Sequence, residues 1–246
     1  MNLLAFDTST DRMSIALQRG VGSSAQLWQH NAAGGALTST HLIPEIQRLM
    51  AQAGLQFGDL TAIVFGAGPG SFTGLRTACS VAQGLAFGAA LPVLPVDTLL
   101  AVAEDARLQL GAAPNLQVTA LLDARMDELY TASYTFNSDL WIKNKGYSLI
   151  HPEDLNWNGA DVLAGNVFAA YGERLHTPGA QRVDALPTAA ALLRLAPGLL
   201  ANGSALPADQ ALPIYIRDKV AQTTLERAAA KAALAVGTPA VLGRSA

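Results

Sequence analysis

The sequence has few charged residues, few aromatic residues and only one cysteine. Charged side chains make up 14% of the 246 residues, against about 25% in an average soluble domain. The net charge is −3, so the chain does not have the excess of Lys and Arg by which autonomous nucleic-acid-binding proteins displace counterions. We therefore expect any contact with RNA to be shared with another chain. Half of the residues are apolar, which favours a partner surface, although an alanine-rich compositional bias explains the same number.

The lone Cys79 excludes an internal disulfide and indicates a reducing compartment. The longest apolar region, residues 85–96, contains Pro92 and Pro95 and falls short of the ~18 residues that a spanning helix needs. Aspartates interrupt the only early apolar run, which argues against a signal peptide. We expect a cytoplasmic protein without a membrane segment.

A glycine-rich stretch at residues 66–76 separates a short apolar run from an alanine-rich helical segment. A turn of this kind exposes backbone N–H groups beside the positive end of a helix and can cradle an anion. The spacing matches neither a Walker loop nor G-x-G-x-x-G, and a tight turn whose glycines only permit close contacts is an equally good interpretation. Arg76, in the first helical turn, opposes the helix dipole and invites an anionic partner or a surface salt bridge. The residues of this candidate anion or nucleotide site are Asp7, at the end of the first strand, and Gly68, Gly70, Ser71 and Arg76.

An element near the N-terminus recurs 116 positions later. The first copy is a strand, Asp7, a turn, Asp11 and a second strand, and the second copy repeats this order with Asp123 and Asp127. Each copy is followed by a helix-rich region, which predicts a duplicated α/β lobe. We expect lobes at residues 1–110 and 111–222, joined through a hinge at residues 111–115, and a C-terminal helix and flexible tail at residues 223–246.

Two predicted helices, at residues 40–53 and 71–89, carry faces that must contact another element. The first presents a seam of Leu42, Ile46 and Leu49. The second has small residues at four-residue spacing, so another element can approach it closely. Its face consists of Gly74, Ala78, Val81, Ala82 and Leu85. Both faces fit either the chain's own sheet or a second molecule.

Four blocks of sequence together resemble the bacterial TsaB (YeaZ) family. They are GPGSFTGLR at 68–76, DTST at 7–10, DARMDELY at 123–130 and PIYIR at 213–217. The first block is the specific one, and the resemblance runs from about residue 2 to residue 220. It implies two ribonuclease-H-like lobes of the actin-like and Hsp70-like (ASKHA) superfamily. It also implies a non-catalytic role in making threonylcarbamoyladenosine on tRNA.

The same resemblance implies a set of partners. The two long helices would dock onto a TsaD-like transferase, with a TsaE-like ATPase in the same assembly and tRNA contacted only through the complex. A homodimer through the same helices is expected when the partner is absent.

The resemblance also bears on catalysis. In catalytic members of the superfamily an aspartate at the end of the first strand positions a metal-bound phosphate, and Asp7 occupies that place, although a hairpin favours Asp there too. The H-x-x-x-H pair that holds the metal of the sister TsaD family is missing, since the four histidines lie at 30, 41, 151 and 176. We expect no catalytic residues, metal or cofactor. The alternatives are a stand-alone actin-like ATPase or kinase and, less favoured, a metallopeptidase.

Overall fold

The computed structural model describes residues 1–157, 159 and 162–217, and residues Met1–Ile216 form one compact unit. The strands are β1 Asn2–Asp7, β2 Arg12–Arg19, β3 Gln26–Ala33, β4 Ala62–Gly68, β5 Val93–Asp97, β6 Asn115–Arg125, β7 Glu128–Asn137, β8 Leu140–Ile150, β9 Val162–Gly165 and β10 Arg182–Asp184. The helices are α1 Thr38–Ala53, α2 Phe72–Ala89, α3 Thr98–Gln109, α4 Phe168–Tyr171 and α5 Ala189–Ala201. The C-terminal helix and tail expected at 223–246 lie outside the described residues.

The two sheets have the same topology. The first has the order β3-β2-β1-β4-β5 and the second the order β8-β7-β6-β9-β10. In each, three antiparallel strands are followed by two parallel strands added beside the first strand of the meander. The predicted duplication of an α/β lobe, and with it the two-lobe ASKHA-like fold, is confirmed.

The central strands are buried because helices cover them. Leu3 to Asp7 in β1 and all of β4 are buried. α1 and α2 cover one face of the first sheet, where Phe6, Phe65 and Ile46 join one cluster. α5 covers the other face. α3 packs against β6 of the second sheet and also against α5, so it connects the two layers.

The C-terminal part of the described chain returns to the first sheet. α5 packs on β1, β2, β4 and β5. The segment 206–216 then packs along β5 and α2, and it begins with an isolated bridge between Val93 and Leu206. The strands of the second lobe therefore end at Asp184, and α5 belongs spatially to the first lobe. The boundary expected at residue 222 lies outside the described residues and stays a prediction.

Local details of the helices and turns refine the sequence prediction. α1 begins at Thr38 rather than at residue 40, which places Pro44 in its second turn. β6 continues past Asp123 to Arg125, so the β6–β7 connection is a two-residue turn with Met126 and Asp127 at positive φ. The loop after β9 leads into α4, a helix of only four residues.

Candidate functional site

The glycine loop between β4 and α2 is in close contact with the chain's own backbone. A Cβ added at Gly68 would lie 2.5 Å from the carbonyl oxygen of Ile214, and one at Gly70 would lie 2.6 Å from the carbonyl oxygen of Ser9. At Gly74, in the first turn of α2, an added Cβ would lie 1.8 Å from the carbonyl oxygen of Thr8. These glycines therefore admit neighbouring peptide groups, which is the close-contact interpretation of the motif.

The β1–β2 turn holds this loop through hydrogen bonds. The amide of Ser71 donates to the carbonyl of Ser9 at 2.7 Å, and the hydroxyl of Thr8 donates to the carbonyl of Gly74 at 2.7 Å. Ser71 occupies the N-cap position of α2, but its side chain caps no amide. One amide that the sequence offered to an anion is thus already bonded within the chain.

Asp7 is a buried carboxylate with one satisfied oxygen. It is 2% exposed, and its Oδ1 accepts from the amide of Ser9 at 2.9 Å and from the hydroxyl of Ser9 at 2.8 Å. Its Oδ2 faces Gly66 and has no hydrogen-bond partner within the described part of the chain. Burial raises the pKa of Asp7 from 3.8 to about 7, against the lowering effect of the bonds from Ser9.

Arg76 makes a surface contact with the segment that ends the described chain. Its guanidinium carbon lies 3.8 Å from the centroid of the Phe72 ring, and its Nε donates to the hydroxyl of Tyr215 at 3.1 Å. The rings of Phe72 and Tyr215 are 5.2 Å apart. Two motifs singled out in the sequence, at 68–76 and 213–217, are therefore bound to each other.

The residues expected at a partner interface divide into a buried and an outward group. Leu42, Ile46, Leu49, Ala78 and Ala82 are at most 1% exposed and belong to the first lobe's own core, so they cannot touch a partner on the folded chain. Gly74 faces the backbone of Thr8. Val81 and Leu85 are only partly buried. The apolar stripes thus face the chain's own sheet, one of the two interpretations left open by the sequence.

The outward face of α2 was only partly visible in the sequence. Apart from the chain neighbours and the nearby backbone of α2 itself, no atom of the described residues would lie within 4 Å of a Cβ added at Gly84 or Gly88, and Phe87 between them is 83% exposed. On the neighbouring α1, Ile43 is 40% exposed. The glycines were a visible signal, but Phe87 and Ile43 were missed because nothing in the sequence separates an outward apolar residue from a core one.

Comparison with known proteins identifies the family. The family model described as TsaD, tRNA N6-adenosine threonylcarbamoyltransferase, matches residues 35–180. The chain is 32% identical over 230 residues to the tRNA threonylcarbamoyladenosine biosynthesis protein TsaB of Escherichia coli, an alignment that covers 90% of this chain and 96% of that relative. The chain belongs to the TsaB (YeaZ) family.

Two further TsaB-family proteins agree with this assignment. The TsaB protein of Haemophilus influenzae is 34% identical over 232 residues, covering 89% of this chain and 95% of its own length. The solved structure of YeaZ from Pseudomonas aeruginosa is 37% identical and superposes with a TM-score of 0.77, covering 87% of this chain and 99% of its own. The family resemblance seen in the sequence motifs is therefore confirmed over nearly the whole chain.

The described residues contain neither a candidate metal cluster nor a candidate membrane-spanning helix. Among residues 1–157, 159 and 162–217, no group of three or more His, Cys, Asp or Glu side chains is arranged to hold a metal ion. In the same part of the chain, no helix combines the length and apolar character needed to cross a bilayer.

Proposed function

We propose that this TsaB-family protein is a non-catalytic subunit of the complex that makes threonylcarbamoyladenosine on tRNA, and that it binds and activates a TsaD-like transferase. Its relatives are named as proteins of this biosynthesis, and the family model that it matches carries the transferase's name. In this proposal a TsaE-like ATPase belongs to the same assembly, and the protein contacts tRNA only through the complex. The complex acts in the cytoplasm. When the transferase is absent, a homodimer forms through the two long helices α1 and α2.

The outward face of α2 is the observation that carries this proposal. A glycine inside a helix costs about 1 kcal/mol relative to alanine, and Gly84 lies well inside α2. A side chain at position 84 would not clash with another described element, because the space beyond Gly84 is open. The described fold therefore gives no reason for a glycine there. Close approach of a partner's helix would offset this cost, and the exposed ring of Phe87 supplies an apolar anchor of the kind found at protein interfaces.

The proposed docking face differs from the one expected from the sequence. It consists of the exposed Ile43, Gly84 and Phe87 and of the partly buried Val81 and Leu85. The buried Leu42, Ile46 and Leu49 have another role, because they fix α1 on the sheet from beneath. α1 and α2 lie side by side, so together they present a two-helix surface to the transferase.

The test is co-elution of the protein with its cognate TsaD-like transferase at micromolar concentration. We expect the wild type to co-elute and Gly84→Leu to fail, because a bulky side chain blocks close helix approach. Gly198→Leu is the matched control, since Gly198 is also a helical, exposed glycine with open space beyond it, but lies in α5. Failure of the wild type to co-elute, or equal loss in both variants, would reject the docking face.

One observation keeps the alternative of a stand-alone actin-like ATPase in view. Asp7 ends β1 with an unpartnered oxygen, as a residue that positions a metal-bound phosphate would. The glycines beside it argue against such a site, because they face peptide groups of Ser9 and Ile214. Calorimetry with ATP and magnesium separates the two functions: saturable binding that Asp7→Ala abolishes would favour the ATPase, and we expect no binding.

A further inference from the structure

Asp97 lies where three parts of the fold meet. It ends β5 and is the N-cap of α3, where its Oδ1 accepts from the amides of Leu99 at 3.0 Å and Leu100 at 3.3 Å. These bonds satisfy the capping role completely. The second carboxylate oxygen is therefore available for a different purpose.

Asp97 Oδ2 is bound by side chains of the second sheet. The hydroxyl of Tyr134, on β7, donates to it at 2.7 Å, and the ammonium of Lys143, on the edge strand β8, lies 2.8 Å from it. Lys143 also lies 3.7 Å from the centroid of the Tyr147 ring. Tyr134 is 1% exposed. Its hydroxyl is therefore a buried polar group, and the Asp97 carboxylate accepts its hydrogen bond.

The backbone around Asp97 is in turn attached to the glycine loop. Asp97 is paired with Gly68 across β4 and β5. The hydroxyl of the next residue, Thr98, donates to the carbonyl of Pro69 at 2.5 Å. The backbone pairing with Gly68 and the hydroxyl of Thr98 are thus two of the contacts that hold residues 68–70, and a displacement of Asp97 would move both. Residues 68–70 lead directly into α2.

We propose that Asp97, Tyr134 and Lys143 form a latch by which the second sheet holds the glycine loop, and with it the start of α2, in place. The latch is distinct from the helix cap, because Tyr134 and Lys143 bind Asp97 Oδ2, whereas the cap uses Oδ1. It acts across the two lobes: the donors stand on β7 and β8, and the segment that they hold belongs to the first sheet. The latch belongs to the free chain and operates whether or not the transferase is its partner.

Hydrogen–deuterium exchange of the free full-length protein tests the latch, read in peptides that cover residues 66–75. Asp97→Asn is the informative variant, because asparagine caps a helix as well as aspartate does but loses the charge that attracts Lys143. Hydrogen bonds to charged groups stabilise a fold more than neutral ones do. Weakening this one should therefore raise hydrogen–deuterium exchange in the loop about tenfold or more. Peptides that cover the first turn of α3 should keep their wild-type exchange.

Tyr134→Phe and Lys143→Met remove the donors singly and should accelerate the same loop peptides. Lys145→Met is the control, since Lys145 is an exposed lysine on the same strand with no ion pair to Asp97. Combining Tyr134→Phe or Lys143→Met with Asp97→Asn should raise loop exchange little further, because Asp97→Asn already weakens the bonds at Oδ2. Unchanged loop exchange in the three latch variants, or equal acceleration in α3 and in both sheets, would overturn the proposal.

Discussion

Replacing Asp7 with asparagine should change the stability of the fold in a pH-dependent way. Asp7 is 2% exposed and its Oδ2 faces Gly66 without a donor from the described residues. Its pKa is raised from 3.8 to about 7, a shift of roughly three units. At about 1.36 kcal/mol per unit, the ionised carboxylate weakens the folded state by about 4 kcal/mol once the pH exceeds the folded pKa.

The sign follows from proton binding. Between pH 4 and pH 7 the folded chain holds a proton on Asp7 that the unfolded chain has released, so the free energy of unfolding falls as the pH rises. The favourable contribution is complete below pH 3.8 and is lost by about pH 7. An asparagine side chain cannot ionise, so the Asp7→Asn variant should not show this loss. The amide nitrogen of the new side chain, placed where Oδ2 lies, leaves a buried donor unpaired at a cost of about 1–3 kcal/mol.

The assay is urea unfolding of the wild type and Asp7→Asn between pH 4.5 and pH 8.5. We expect the stability of the variant relative to the wild type to rise with pH by about 1.4 kcal/mol per unit and to level off near pH 7. At pH 8 the variant should be the more stable protein by about 1–3 kcal/mol, after subtraction of the amide cost.

Asp123→Asn is the matched control because Asp123 lies near the end of the hairpin's first strand in the second sheet, two residues before β6 ends at Arg125. Its Oδ1 accepts from the amide of Arg125 at 2.8 Å and from the hydroxyl of Tyr171 at 3.2 Å, and its Oδ2 lies 3.2 Å from the Arg125 guanidinium. This variant should be less stable than the wild type at pH 8, because it replaces a carboxylate oxygen that these donors contact. Parallel pH profiles for Asp7→Asn and the wild type would refute the reasoning.

Three further changes test the fold and the docking helix. Gly74→Ala should destabilise the chain by about 3 kcal/mol or more, since its Cβ would lie 1.8 Å from the Thr8 carbonyl oxygen, at the upper end of overpacking costs. Gly84→Ala should stabilise it by about 1 kcal/mol, and thermal melts that rank the two variants in the opposite order would contradict the glycine assignments. Glu104→Gln should cost about 3–5 kcal/mol, because this buried carboxylate binds Arg107, Arg194 and the Trp141 indole. A loss under about 1 kcal/mol in denaturant titration would show that the network is not stabilising.

The duplicated hairpins were predictable because their signals are local. Alternating apolar residues and a terminal aspartate specify each strand pair within a few positions. β8 escaped prediction because it is an edge strand whose middle, residues 143–146, is polar and exposed. α5 escaped because Pro197 and Gly198 interrupt it and the rest is apolar around most of its circumference, which removes the helical periodicity.

The elements around the candidate site were predictable in position, but the contacts of their residues were not. The glycine loop and the two long helices lie near the positions that the sequence indicated. A glycine that admits a phosphate and a glycine that admits a peptide group have the same sequence signature, and only the long-range contacts of Ser9 and Ile214 separate them. The same limit affected α1, whose apolar seam fits a core and an interface equally well until the sheet beneath it is seen.

The two lobes differ in the surroundings of one aspartate and in the length of the helix after the fourth strand. Both lobes place an aspartate at or near the end of the corresponding strand. In the second lobe three neighbouring groups contact the Asp123 carboxylate, whereas in the first lobe the Oδ2 of Asp7 has no hydrogen-bond partner among the described residues. Because sheet order is identical, the fold itself does not require this difference. The long α2, with its open glycines, likewise has only the four-residue α4 as its counterpart. Among the described residues, the first lobe carries both the buried carboxylate with an unpartnered oxygen and the proposed docking face, so Asp7→Asn and Gly84→Leu probe separate properties of the same lobe.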